Sequence, residues 1–293
     1  MATELELIDA FLAPFGARRG DGVIGDDCAA LAPSPGMRLV VTVDAVVEGV
    51  HFDLRRFKPE DAGHKALAVN LSDLAAAGAR PRWFLCALGV PRGGRVATAV
   101  GFARGMARLA RKFRCALVGG NVTGASEWSM TITALGEARR PLRRSGARPG
   151  DALVVVGRLG DAALGLRGSR RHLRAQLRPT PLIEAGLAAA RLARASIDVS
   201  DGFLRDLGNL CSASGCGAEV ECEKLPADDL EAALTGGEDY ALLLAVAPEH
   251  LERLARATGG VAVGRLTRRP GIRLTWHGSA RPLPARLGWD HLR

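Results

Sequence analysis

Acidic residues stand at five places where an apolar run of the chain hands over to a loop. They are Asp26 and Asp27 in "VIGDDCAAL", Asp44 in "VTVDAVVEGVHF", Asp73 in "VNLSDLAAAGA", Asp198 and Asp201 in "IDVSDG", and Glu238 and Asp239 in "TGGEDY". An anion set among apolar side chains is costly unless a cation meets it. The chain carries a net charge of +9, so arginine could be that cation. A metal ion would serve equally. Histidine and cysteine do not cluster near these places, which disfavours soft metals. Several aspartates with hydroxyls and carbonyls nearby suit Mg2+, which prefers oxygen ligands and usually arrives with phosphates.

Asp73 is the most informative of the set. On a helix, Ala66, Asn70, Asp73 and Ala77 share one narrow face of small and polar residues, while Ala68, Val69, Leu71, Leu74, Ala75 and Ala76 cover the other directions. Such a helix reads as buried all round, and an aspartate buried there calls for a cation. The plainer alternative is that Asn70 and Asp73 face water. Asp44 ends a strand of valines, where it either reaches a site at the sheet edge or makes a turn. Asp198 and Asp201 flank Ser200 just before a helix, and Ser200 or Asp201 equally suits an N-cap.

Phosphate chemistry needs donors as well as a cation. The chain has no G-x-x-x-x-G-K-[ST], no G-x-G-x-x-G at a strand–helix turn, and none of the H-R-D and D-F-G pieces of protein kinases. What remains is "GGNVTG" (119–124) after a strand, the glycine pair at 236–237, and Arg143 with Arg144. Glycine amides and an arginine fork bind phosphate without lysine. A glycine pair is also, more simply, a turn.

The elements that must position these residues follow from pattern. Thr3 and Glu6 form a capping box for a first helix whose apolar face is Leu5, Ile8, Phe11 and Leu12. Strands are predicted over 38–47, 83–90, 115–120 and 128–137, a long helix from Pro59 to near Gly78, and another over 95–113. The run "RRPLRRSGARPGD" (139–151) breaks the pattern and divides the chain into domains 1–138 and 139–293. Beyond it come strands near 152–157, 196–202, 238–246 and 260–266, with helices near 160–166, 180–193, 203–214 and 248–258. Neither half keeps a βαβ rhythm, so two α+β domains are expected rather than a doubly wound sheet.

Composition narrows the class. At 293 residues and 47% hydrophobic, the chain can build substantial cores. Its uncharged apolar runs are too short to span a bilayer, and "MATELELIDAF" lacks a basic region before an apolar block, so no membrane and a cytoplasmic location are expected. The six cysteines form no C-x-x-C pair and suit a reduced core. The basic excess is almost all arginine, scattered and accompanied by only 4% aromatics, which argues against nucleic acid.

Taken together, "GDDCA", "VDAVVEGVHF", "HKALAVNLSDLAAAGARP", "GGN", "RSGARPGD", "IDVSDG", "GGEDYALLL" and the terminal "GWDHL" occur in the order seen in thiamine-monophosphate kinases. The resemblance covers nearly the whole chain and places it in the aminoimidazole-ribonucleotide synthetase-like superfamily. It implies two α+β domains, the first binding ATP and magnesium and forming a homodimer through a shared barrel-like sheet. The implied reaction is direct in-line transfer of the γ-phosphate of ATP, the co-substrate, to thiamine monophosphate, giving thiamine diphosphate with several Mg2+ ions and no catalytic side chain. By position, the resemblance implies Asp27, Thr42, Asp44, Asp73, Asn121, Asp198 and Asp201 as metal ligands. It likewise implies Gly120, Asn121, Arg144 and Ser200 at ATP, and His51, Glu238 and Trp289 at thiamine monophosphate. Val43 stands where the family usually carries a hydroxyl, and Asn121 where many members carry Asp. Those departures motivate one alternative, a weakly active nucleotide-binding homologue; the other is a superfamily paralogue using ATP on another small substrate, which His51, Glu238 and Trp289 would discriminate.

Overall fold

A computed structural model describes residues 3–20 and 24–289, in two compact units. The first comprises residues 1–74 and 81–139, the second 75–80 and 140–293. In the first unit, α1 (Glu4–Leu12) begins at the Thr3 capping box. It buries Leu7, Phe11 and Leu12, while Leu5 lies exposed. The expected face is therefore rotated: the helix presents Leu7 to the core in place of Leu5.

Four strands form the sheet of this unit: β1 (Arg38–Val47), β2 (Arg80–Pro91), β3 (Ala116–Ala125) and β4 (Ser129–Ala138), in the order β1-β4-β2-β3. β1 runs antiparallel to β4, and β3 parallel to β2. Between them in sequence lie α2 (Pro59–Ala76) and α3 (Val96–Phe113). α3 is amphipathic, with Ala99, Phe102, Ala103, Met106 and Leu109 buried and Arg111 and Lys112 on the last turn near its C-terminus, where cations meet the helix dipole. Phe102 stacks edge-on with Trp128 (centroids 5.3 Å apart) and with Phe52 (5.9 Å), making an aromatic core. β1 sits at the sheet edge, and its Leu39, Val41 and Val43 are exposed. Alternation places these three on one face of the strand.

Sequence placed a strand end at the glycines of 119–120, but β3 continues to Ala125. Its register with β2 carries through them, Gly119 opposite Leu85, Gly120 opposite Cys86 and Asn121 opposite Ala87. Pairing outweighs the low strand propensity of glycine.

The second unit is built on a seven-stranded sheet of order β11-β10-β7-β9-β5-β8-β6. Its strands are β5 (Ala152–Val156), β6 (Ala193–Val199), β7 (Gly217–Glu221), β8 (Ala241–Val246), β9 (Val261–Thr267), β10 (Gly271–Trp276) and β11 (Ser279–Arg281). Its helices are α4 (Asp161–Leu166), α5 (Leu173–Leu177), α6 (Ile183–Ala189), α7 (Phe203–Ser214), α8 (Leu230–Thr235) and α9 (Leu251–Thr258). β8, between β5 and β6, is buried along its whole length, which is why it reads as a continuous apolar run. The helix expected over 180–193 shortens to α6, because the chain must turn at 190–192 to enter β6. Five cysteines are buried thiols and Cys28 is exposed. Among the described residues no helix is long and apolar enough to cross a membrane.

Candidate functional site

In the first unit the candidate ligands meet where α2 lies against β1. Thr42 and Asp44, two residues apart, share one face of β1. The Thr42 hydroxyl donates to Asp73 Oδ2 in a short contact. The Asp44 amide donates to Asn70 Oδ1 (3.0 Å), and Asn70 Nδ2 donates to the Ala66 carbonyl (3.1 Å). Ala66 and Asn70 are fully buried and Asp73 is half-buried, so the small, polar stripe of α2 faces the strand and not water. Val43 points to the other face and is 60% exposed. Its lack of a hydroxyl therefore takes no oxygen from the Thr42–Asp44 face.

His51 lies in the turn after β1. Its Nδ1 accepts from the Val47 amide (3.2 Å), which leaves Nε2 as the protonated nitrogen of the neutral ring. Lys65, only 1% exposed, donates from Nζ to the His51 carbonyl (3.0 Å) and sits 5.5 Å over the Phe57 ring. Sequence reading passed over Lys65; a lysine inside an otherwise apolar helix is its signal. Gly120 and Asn121 are exposed on β3. Asp26 and Asp27 are also exposed, in a bend rather than a strand, so burial does not demand a cation for them as the sequence suggested.

In the second unit, the candidates gather on one turn. β6 delivers the buried Asp198 to its end, and Ser200, Asp201 and Gly202 then turn the chain into α7. Asp206 Oδ2 accepts the amides of Ser200 (3.1 Å), Asp201 (3.0 Å) and Gly202 (3.2 Å). The Ser200 carbonyl accepts the Glu238 amide (2.7 Å), and the Asp201 carbonyl accepts the Trp289 amide (2.8 Å). The backbones pass very close: a Cβ on Gly237 would lie 2.7 Å from the Ser200 carbonyl, and one on Gly288 2.5 Å from the Asp201 carbonyl. Glycine is required at both. Glu238 (φ 67°) and Tyr240 (φ 52°) adopt the left-handed region that non-glycine residues rarely occupy. That concentration of strain accords with a functional loop.

Burial pushes the Asp206 carboxyl up to about 6, with the Asp201 charge adding to the rise and the three amides opposing it. Burial likewise raises Asp239 to about 7 against hydrogen bonds from Gly160 (2.6 Å) and Ala162 (3.2 Å), through which it caps α4. The Arg144 carbonyl accepts from Ser214 Oγ (2.9 Å), and its guanidinium is exposed. The Trp289 indole is 54% exposed. In "LGWDHL" the apolar residues able to pin the tail are Leu287 and Leu292; Leu287 is 41% exposed and Leu292 lies outside the described residues. The Trp289 amide ties the tail to the Asp201 carbonyl.

Among the described residues, no three His, Cys, Asp or Glu side chains gather tightly enough to hold a metal unaided. The candidate ligands, Thr42, Asp44 and Asp73 in the first unit and Asp198 and Asp201 in the second, offer only oxygen. Mg2+ typically takes one or two carboxylates and completes its shell with water and substrate phosphates, so the donors present fit that ion. They do not fit zinc or copper.

Comparison with known proteins gives the chain its relatives. Residues 25–138 match the family described as AIR synthase related protein, N-terminal domain, and residues 148–277 its C-terminal domain. Thiamine-monophosphate kinase of Salmonella typhimurium is 40% identical over 83% of this chain and 80% of its own. A solved thiamine-monophosphate kinase from Stenotrophomonas maltophilia superposes with a TM-score of 0.81 at 35% identity, covering 95% of this chain and 98% of that one. A structure described as AaThiL complexed with AMPPCP and TMP superposes with a TM-score of 0.80 at 32% identity over 99% of both chains.

Proposed function

The chain belongs to the thiamine-monophosphate kinases of the AIR synthase related family, and from that membership we propose that it transfers the γ-phosphoryl group of ATP to thiamine monophosphate, releasing ADP and thiamine diphosphate. The observation that carries the reading is the full-length likeness to a relative described with an ATP analogue and TMP bound.

The reaction asks for position more than for proton transfer. A phosphate monoester oxygen is already a nucleophile at neutral pH, so an in-line transfer needs alignment and charge neutralisation. In our reading Asp27, Thr42, Asp44, Asp73 and Asn121 of residues 1–138, and Asp198 and Asp201 of residues 139–293, hold Mg2+ ions. When bound, these ions offset the charge on the phosphates of ATP. Gly120, Asn121, Arg144 and Ser200 contact ATP; the exposed Arg144 guanidinium offers a fork for phosphate oxygens. His51 donates from Nε2 to the substrate, Glu238 balances the cationic ring of thiamine, and Trp289 stacks on it.

The exposed Leu39, Val41 and Val43 face of β1 supports a homodimer formed through the first unit. A coupled ADP-release assay tests the reaction. ADP formation should require both Mg2+ and thiamine monophosphate; turnover that ignores thiamine monophosphate but responds to another phosphoester would place the protein with a different substrate.

A further inference from the structure

The turn at Ser200–Gly202 is tied to other parts of its unit through its backbone amides and carbonyls. Its amides point inward to one carboxylate, and its carbonyls accept from the Glu238 loop and from the tail at Trp289. We propose that Asp206 is a positioning residue: it fixes the turn so that the side chains of Ser200, Asp201, Glu238 and Trp289 are set together. The proposal deepens the kinase reading and rests on it for the roles of those four residues.

Three observations carry it. Asp206 is 3% exposed, one turn into α7, and a single oxygen receives three successive amides. Gly202 precedes α7 and has no side chain of its own, and the carboxylate from within the helix reaches back to accept the amides of the turn leading into it, as the returning half of a capping box does. The three amides are thereby turned away from any bound phosphate, which leaves the Ser200 hydroxyl and the Asp201 carboxylate as the groups the turn can offer outward. The carbonyls of the same peptide units then orient the Glu238 loop and Trp289. One inward anion thus sets residues from three separate stretches of sequence.

An ordinary helix cap would stabilise α7 and do no more. Asp229 provides that comparison in the same unit: it caps α8 by accepting the Ala232 amide (2.7 Å), with no candidate site residue attached. Asp206→Asn keeps the shape of the side chain but removes its charge. It should keep the wild-type circular dichroism yet lower kcat/KM for thiamine monophosphate at least tenfold and raise the Mg2+ concentration giving half-maximal rate. Asp229→Ala should lower the melting temperature with kcat/KM unchanged. If Asp206→Asn behaves like Asp229→Ala, Asp206 is only a cap and the proposal is overturned.

A second measurement needs neither activity nor a variant. In hydrogen exchange on the wild-type protein, the amides of Ser200, Asp201, Gly202, Glu238 and Trp289 should share one protection factor of at least tenfold. A Trp289 amide exchanging at its unprotected rate, as residues this near a terminus commonly do, would overturn the clamp. Absence of thiamine-monophosphate-dependent turnover with this protection intact would sink the kinase reading and leave the clamp standing.

Discussion

Asp73 accepts from Thr42 on one side of α2 while its neighbour Asn70 is wholly buried. Asparagine at 73 would still accept that hydroxyl, so the fold should survive while the anionic oxygen is lost. Asp73→Asn should lower turnover tenfold or more, about 1.4 kcal/mol of transition-state stabilisation, with an unchanged melting curve; wild-type turnover across a magnesium titration would make Asp73 structural. Glu137 gives a prediction in pH. Burial raises its carboxyl, but the Ser34 amide (2.7 Å) and hydroxyl (3.0 Å) and the Arg82 guanidinium outweigh that and hold it below the usual glutamate range. A depressed folded pKa contributes stability above the unfolded value, near 4.5, that is lost as pH falls through the folded value. Glu137→Gln should therefore cost about 1–3 kcal/mol at pH 7, and the gap to wild type should close in denaturant titrations below pH 4.5. At this scale the sequence was legible where types were unusual for their setting, as with Asp73. It was not legible for Asp206, because an aspartate early in a helix looks like any dipole-matched residue until its three amides are seen.

Between elements, the seam of α2 and β1 rests on Asn70, which joins the Asp44 amide to the Ala66 carbonyl. Removing it leaves the Asp44 amide without the acceptor of its part-buried hydrogen bond and loosens β1 from the helix. Asn70→Ala should lower stability by about 1–3 kcal/mol in urea titrations and weaken Mg2+-dependent activity as well, since Thr42 and Asp44 ride on that strand. α3 and α7 were plain in sequence because their apolar periods match the surfaces they bury, and β1 because its run of valines is β-branched. β7, β10 and β11 went unread: they are short and lie toward one edge of the larger sheet, and Glu219 on β7 pairs with Arg265 and Arg273, so charge masks the strand pattern. Face assignment failed on α1 for a related reason, since Leu5 and Leu7 are equally apolar and only tertiary packing chooses between them.

For the whole molecule, two α+β units were foreseeable from the arginine- and glycine-rich break near 139–151, although residues 75–80 group with the second unit by packing that no local pattern signals. The exposed apolar face of β1 carries the remaining prediction. Light scattering at micromolar concentration should give twice the 30.8 kDa chain mass, and Val41→Asp with Val43→Asp should halve it. Alternation in β1 then has a kinetic corollary. The strand that offers Leu39, Val41 and Val43 on one face offers Thr42 and Asp44 on the other, so whatever steadies one side steadies the other. Enzyme concentration becomes a hidden reactant: specific activity, ordinarily constant, should decline as the protein is diluted toward the range where subunits part, and recover on concentration.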